Sequence, residues 1–230
     1  MVENRVAPPY RWSVNVEPPI AATDFVECVT PLLQAKDAPG LHALLCERWT
    51  ADQIVGLLSS DDKDARKLAG LALSMVGGSC CLPALTTALR DPDPMVNQMA
   101  EHALWSIWFR LGEAEAAKLL CQGAQALSRR DFPEAVHFFE ASIRRDPSFA
   151  EPYNQRAIAH YLSDRFEDSI RDCQRAIRRM PDHFGAWAGM GHCHAHLGQI
   201  SQAIECYQKS LSINPHSECL RQALAEMKSH

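Results

Sequence analysis

Apolar residues in this chain recur every three to four positions, in runs of eleven to fifteen residues broken by short polar turns. That is the period of amphipathic helices; the alternation expected of strands does not develop. Typical runs are AEPYNQRAIAHYL (150–162), FEDSIRDCQRAIRR (166–179), FGAWAGMGHCHAHL (184–197) and ISQAIECYQKSLSI (200–213). Turns such as SDR (163–165) and GQ (198–199) separate them in pairs. Composition agrees: 31 Ala and 23 Leu stand against 10 Val and 10 Ile, which favours helix over sheet.

The second half repeats itself. Pro147, Pro181 and Pro215 are spaced by 34 residues. The same step links Phe132, Phe166 and Ile200; Ala135, Ser169 and Ala203; Phe139, Cys173 and Tyr207; and Ser142, Ala176 and Ser210. A fixed period over five columns predicts stacked helical hairpins, each closed by a proline that disfavours helix in the residue before it. Small residues in two columns let neighbouring helices approach, and large ones fill the remaining space.

These residues resemble the tetratricopeptide repeat (TPR) family. Trp187, Met190, Gly191, His194, Ala203, Tyr207, Ser210 and Pro215 follow its pattern nearly whole. The unit before it keeps Tyr153, Ala157, Ser169, Cys173, Ala176 and Pro181 but carries Arg156 where Leu is usual. The first unit, from about 116 to 149, is closest in its second helix. The resemblance implies three such repeats over 113–216 and a closing amphipathic helix over 217–230.

A shorter period marks the first half. Residues 51–78 align with 82–109 at an offset of 31, pairing Ile54 with Leu85, Leu58 with Leu89, Asp62 with Asp93, Ala69 with Ala100 and Leu73 with Leu104. Each unit reads as a short apolar helix, an Asp-rich turn and a longer helix, with Asp able to cap the second helix. The turns resemble those of short HEAT-like repeats, although Asn97 stands where many such units carry Arg. Residues 24–49 read as one further helical pair, giving a HEAT-like block over 24–112. Residues 1–23, with Pro8-Pro9 and Pro18-Pro19 bracketing Tyr10, Trp12, Val14 and Val16, read as an extended arm. The expected architecture is an elongated, all-α, right-handed helical-hairpin solenoid.

Charge and cysteine usage narrow the function. The net charge of −5 disfavours a polyanion binder. Residues 1–112 hold 9 basic and 13 acidic groups, so most of the acidic excess lies there. The nine cysteines are irregularly spaced with no C-x-x-C pair, which points to buried thiols in a reducing cytoplasm. The uncharged run between Lys67 and Arg90 is broken by Gly77, Gly78 and Pro83; it reads as two helices with a stop between them, and no membrane span is expected.

The sharpest cluster of ligand-type residues is His192-Cys193-His194-Ala195-His196. His192 and His196 share a helix face, but a zinc site needs one or two further ligands, which Cys206 or Cys173 would have to supply, and the repeat register makes that awkward. No phosphate loop, dinucleotide motif or nucleophile elbow occurs. The expectation is therefore no catalytic residue, no metal and no cofactor.

The family resemblance places a ligand groove on the first helix of each repeat. Carried over, the groove comprises Ala117, Leu120, Ala124 and Leu127; then Glu151, Asn154, Ile158, Tyr161 and Leu162; then Ala188, His192 and His196. Some TPR domains clamp acidic chaperone tails with Lys, Asn and Arg. The corresponding positions here are Leu120, Ala124, Gln155, Gly185 and Gly189, so the expected partner is an apolar or amphipathic segment of another protein. Two competing readings remain: the chain's own arm or a neighbouring element fills the groove, or the arginines at 144–145, 171, 175 and 178–179 form a nucleic-acid stripe. Acidic neighbours Glu140, Asp146, Glu167, Asp168 and Asp172 argue against the stripe.

Overall fold

The computed structural model describes residues 19–229; most of the expected arm lies outside them. The described residues form helices α1 (Ala22–Gln34), α2 (Ala38–Arg48), α3 (Ala51–Leu57), α4 (Lys63–Val76), α5 (Leu82–Ala88), α6 (Pro94–Trp108), α7 (Ala114–Ser128), α8 (Phe132–Arg145), α9 (Glu151–Tyr161), α10 (Phe166–Arg179), α11 (Phe184–His196), α12 (Ile200–Ile213) and α13 (Glu218–Ser229). A short 3-10 turn, Ser79–Cys81, breaks the uncharged run between α4 and α5. Among the described residues no helix is long and apolar enough to cross a membrane.

In the first half, aspartates start the longer helices. Asp62 accepts from the Asp64 N–H at 2.8 Å, and Asp93 accepts from the Met95 N–H at 2.8 Å. Asp91 joins the two turns instead: both its oxygens receive Arg66, at 2.7 and 3.1 Å. Behind these turns a continuous core runs from Phe25 and Val29 through Leu45, Ile54, Leu73, Leu85 and Leu104 to Ile107 and Trp108.

In the second half the periodic small residues bind helix to helix. Ser142 donates to the Ala116 carbonyl at 2.8 Å, and Ser210, two repeats later, donates to the Phe184 carbonyl at 2.9 Å. Ser169 donates to the Ala157 carbonyl at 2.8 Å. Each hydroxyl is satisfied inside a tight crossing where an unpaired one would cost stability.

Size is balanced across those crossings. A Cβ built on Gly123 falls 2.4 Å from the Phe139 ring, and one built on Gly191 falls 2.6 Å from the Tyr207 ring. In the middle repeat Ala157 replaces the glycine, and Cys173 replaces the ring. A further 34-residue column is conformational: Arg130, Asp164 and Gly198 all have positive φ, at 62°, 56° and 71°. Three unlike residues share it, so identity does not reveal it.

Two glycine substitutions separate space from conformation. Gly191→Ala should destabilise by about 1–3 kcal/mol through overpacking, and in a Tyr207→Cys background it should become neutral or stabilising. Gly198→Ala has open space around it yet should cost about 1–2 kcal/mol from its left-handed backbone, whatever residue stands at 207. Urea unfolding of the single and double variants distinguishes the two.

Candidate functional site: the concave face of the second and third repeats

The two halves meet twice. They are continuous from α6 to α7, and the last turn of α6 also packs against the start of the third repeat. The Trp108 ring stacks on His183, with centroids 4.2 Å apart and planes at 20°. Trp105 and Trp108 flank Phe184 at 5.6 and 5.2 Å. Gly185 is required here, because a Cβ on it would lie 2.6 Å from Trp105. A second contact joins Arg90 to the Ser212 carbonyl, and Asn97 to His216 at 3.2 Å. The array therefore curls back on itself instead of running out as the elongated rod expected from the repeats.

Beneath Trp108 lies a buried polar unit. The His183 Nδ1 accepts the Ala186 backbone N–H at 3.1 Å, so the proton sits on Nε2 and is donated to Glu151 Oε2 at 2.8 Å. Glu151 Oε1 accepts from Asn154 at 3.1 Å and Gln155 at 2.7 Å. Glu151 is 1% and His183 0% exposed, and such burial is tolerable because every lone pair facing a donor is used.

This joint divides the expected groove. Glu151 and Asn154 are buried at the joint, and Leu120 is fully buried in a cluster with Phe139 and Phe149, against which Phe109 and Leu111 pack. Glu151 and Leu120 face the protein's own interior; Asn154, though buried, also edges the hollow between α9 and α11. Ala124, Leu127, Tyr161, Ala188 and His192 are half-buried, and His196 is exposed. Ile158 is 36% and Leu162 43% exposed, large apolar residues left facing solvent.

The open part contains a hollow of about 250 Å3 between α9 and α11, lined by Asn154, Ala157, Ile158, Tyr161, Cys173, Gly185, Ala188, Gly189 and His192. Tyr161 and His196 meet at 2.9 Å, and the His196 ring stacks on Phe166 at 4.8 Å. His192 Nδ1 meets the Tyr207 hydroxyl at 2.8 Å, while His194 pairs with Gln199. The three histidines thus serve different partners, and among the described residues no cluster of three or more ligand-type side chains surrounds one point. Burial pushes the Cys173 thiol well above its ordinary range, leaving it a poor nucleophile. Burial and His196 lower the His192 pKa. Among the described residues no charged side chain lines the hollow.

Asp172, one of the acidic neighbours of the arginine stripe, is buried. Arg156 grips it through Nε at 2.6 Å and Nη2 at 2.7 Å, and Arg175 adds a contact at 2.8 Å. Arg156 in a column that favours leucine was the available signal for an internal acidic partner. His160 lies 3.5 Å from the same carboxylate, and its Nδ1 is buried without a hydrogen bond. Burial, with Arg165 nearby, lowers the His160 pKa. The other arginines of the stripe are largely engaged: Arg144 with Glu140, Arg145 with Glu113, Arg171 with Asp168, and Arg179 with Tyr153 and the Pro147 carbonyl.

Trp108→Ala should cost about 3–5 kcal/mol, as for other large buried rings, and should speed amide exchange around Leu120 and Asn154 more than within α3 and α4. Unchanged exchange there would show that the joint does not seal the groove. The lowered pKa values of His160 and His192 also fix a pH dependence. The unfolded chain binds more protons than the folded one near the ordinary histidine pKa of about 6.5, so stability falls as pH drops from 7 towards 5. Urea midpoints at pH 7.5 and 5.5 should show that loss, and His160→Gln should reduce it.

A family model for the tetratricopeptide repeat matches residues 185–217. A TPR repeat-containing protein of Rhizobium etli is 27% identical over 126 residues, covering 55% of this chain and 61% of the relative. A small glutamine-rich tetratricopeptide repeat-containing protein of Dictyostelium discoideum is 33% identical over 113 residues, 49% of this chain and 34% of the relative; small glutamine-rich tetratricopeptide repeat-containing protein 2 of Mycosarcoma maydis is 28% identical over 115 residues, half of this chain and 33% of the relative. The chain thus spans between a third and about three fifths of these relatives. Among solved structures, the first TPR of Spaghetti (RPAP3), bound to an HSP90 peptide SRMEEVD, superposes with a TM-score of 0.50 at 18% identity, covering 51% of this chain and 94% of that one. Residues 185–217 are a tetratricopeptide repeat, set within an all-helical solenoid.

Proposed function

We propose that this protein is a non-catalytic scaffold that binds an apolar or amphipathic segment of a partner protein in the open half of its concave face. The carrying observation is the hollow between α9 and α11, flanked by exposed Ile158 and Leu162. Exposed apolar surface next to a concavity marks interaction sites. Within the expected groove, the binding set reduces to Ala124, Leu127, Ile158, Tyr161, Leu162, Ala188, His192 and His196.

The segment is not an acidic tail. Spaghetti's repeat is seen with an acidic HSP90 peptide, but the residues at clamp positions here, Leu120, Ala124, Gln155, Gly185 and Gly189, carry no positive charge, and no Lys or Arg lines the hollow. Engagement of most stripe arginines with acids and carbonyls supports a protein partner over a nucleic acid. In this reading the first two hairpins of the second half are also TPR units, the first half is HEAT-like, the setting is the cytoplasm, and neither a metal nor a cofactor is used.

Ile158→Glu/Leu162→Glu should fold normally, since both side chains already face water, and should lose at least tenfold in partner recovery in affinity capture. A matched Arg144→Glu/Arg178→Glu variant on the second helices should retain it. Equal recovery from all three forms would refute the groove assignment.

A further inference from the structure

Resting on that reading, we infer that the bound segment places an aromatic side chain in the hollow over Cys173 and a lysine or arginine against Glu101, on the other side of α11. The aromatic half follows from the repeat itself. In the first and third repeats a ring from the second helix, Phe139 or Tyr207, fills the space over Gly123 or Gly191. The middle repeat has Cys173 and Ala157 there, and the volume they leave opens to the groove as the hollow of about 250 Å3. A closed apolar cavity of roughly 150 Å3 admits benzene, so one ring fits with room for its backbone. The missing ring comes from the partner.

The charged half follows from a second hollow, of about 180 Å3, which shares Gly185, Ala188 and His192 with the first and is bounded by Glu101 of α6 and Leu220 of α13. Glu101 is half-buried and, among the described residues, has no hydrogen bond or ion pair, unlike Glu151 and Asp172. No Lys or Arg lines either hollow. A partly desolvated carboxylate without a counter-ion rewards an incoming cation more than one in open water does. The thin ridge of α11 between the hollows is small-residued, so one chain can cross it and reach both.

The test uses the full chain and fluorescent ten-residue amidated peptides with an alternating Ser/Leu background. Each carries one Phe, with Arg placed one to five residues after it; matched series carry Leu for Phe, or Gln or Glu for Arg. By fluorescence anisotropy, one spacing should bind at least tenfold tighter with Phe than with Leu, and about tenfold tighter with Arg than with Gln, with Glu weakest. Glu101→Gln should erase the Arg preference and keep the Phe preference. Gly189→Leu, whose Cβ points at Cys173 Sγ from 3.6 Å, should fill the first hollow and erase the Phe preference without lowering the melting temperature; Ala188→Leu repeats the test if that variant misfolds. Binding of the background peptides with no gain from Phe or Arg would overturn this inference and leave the groove reading standing. A preference for Glu would show that the amino end of α13, not Glu101, sets the charge. No binding by any peptide at millimolar concentration would overturn both.

Discussion

The Trp108 ring lying flat on His183, with His183 donating to Glu151, fastens the two halves of this molecule. Apart from this joint and the Arg90–Ser212 and Asn97–His216 contacts, the second half is a nearest-neighbour stack, in which each hairpin packs on the next. The joint is the contact that links residues some seventy-five positions apart and removes water from the amino ends of α9 and α11. Its components are mutually dependent: without the indole above it the His183–Glu151 hydrogen bond would be hydrated, and without Glu151 the imidazole would be a buried donor with no acceptor.

That closure changes what a repeat array can do. A free solenoid offers its whole concave face, whereas here the half of the face nearest the helix starts is occupied by the chain's own α6. In the proposed function, selection of a ligand falls to the remaining half, between Ile158, Leu162 and the α11 ridge. The polar residues that could have read a peptide backbone, Asn154 and Gln155, are committed to Glu151. What remains offers shape and apolar area, with Glu101, among the described residues, the one carboxylate at its edge.

The middle repeat is the irregular one, and its departures form a set. Arg156 for leucine requires Asp172 as an internal acid; Cys173 for an aromatic residue accompanies Ala157 for glycine. One change brings a buried ion pair that holds the α9–α10 hairpin together. The other opens a hollow. A repeat whose two helices are held by a buried ion pair can leave space on its concave side, because the helix crossing no longer depends on a ring to fill it.

The helices, the 34-residue period, the 31-residue offset, the aspartate caps and the small-residue crossings were all legible in the sequence, because each depends on residues close along the chain or one repeat apart. So was the candidacy of Ile158, Tyr161, Leu162, Ala188, His192 and His196. Tertiary structure decided which part of the groove stayed open. Leu120, Glu151 and Asn154 occupy ligand-facing positions by register, yet Glu151 and Asn154 are buried because Trp105 and Trp108 arrive from the first half of the chain, along a path no local pattern specifies, and Leu120 because Phe139, Phe149, Phe109 and Leu111 close over it. Periodicity fixes how each hairpin packs on the next; small rotations added over several hairpins decide where α6 meets the third repeat.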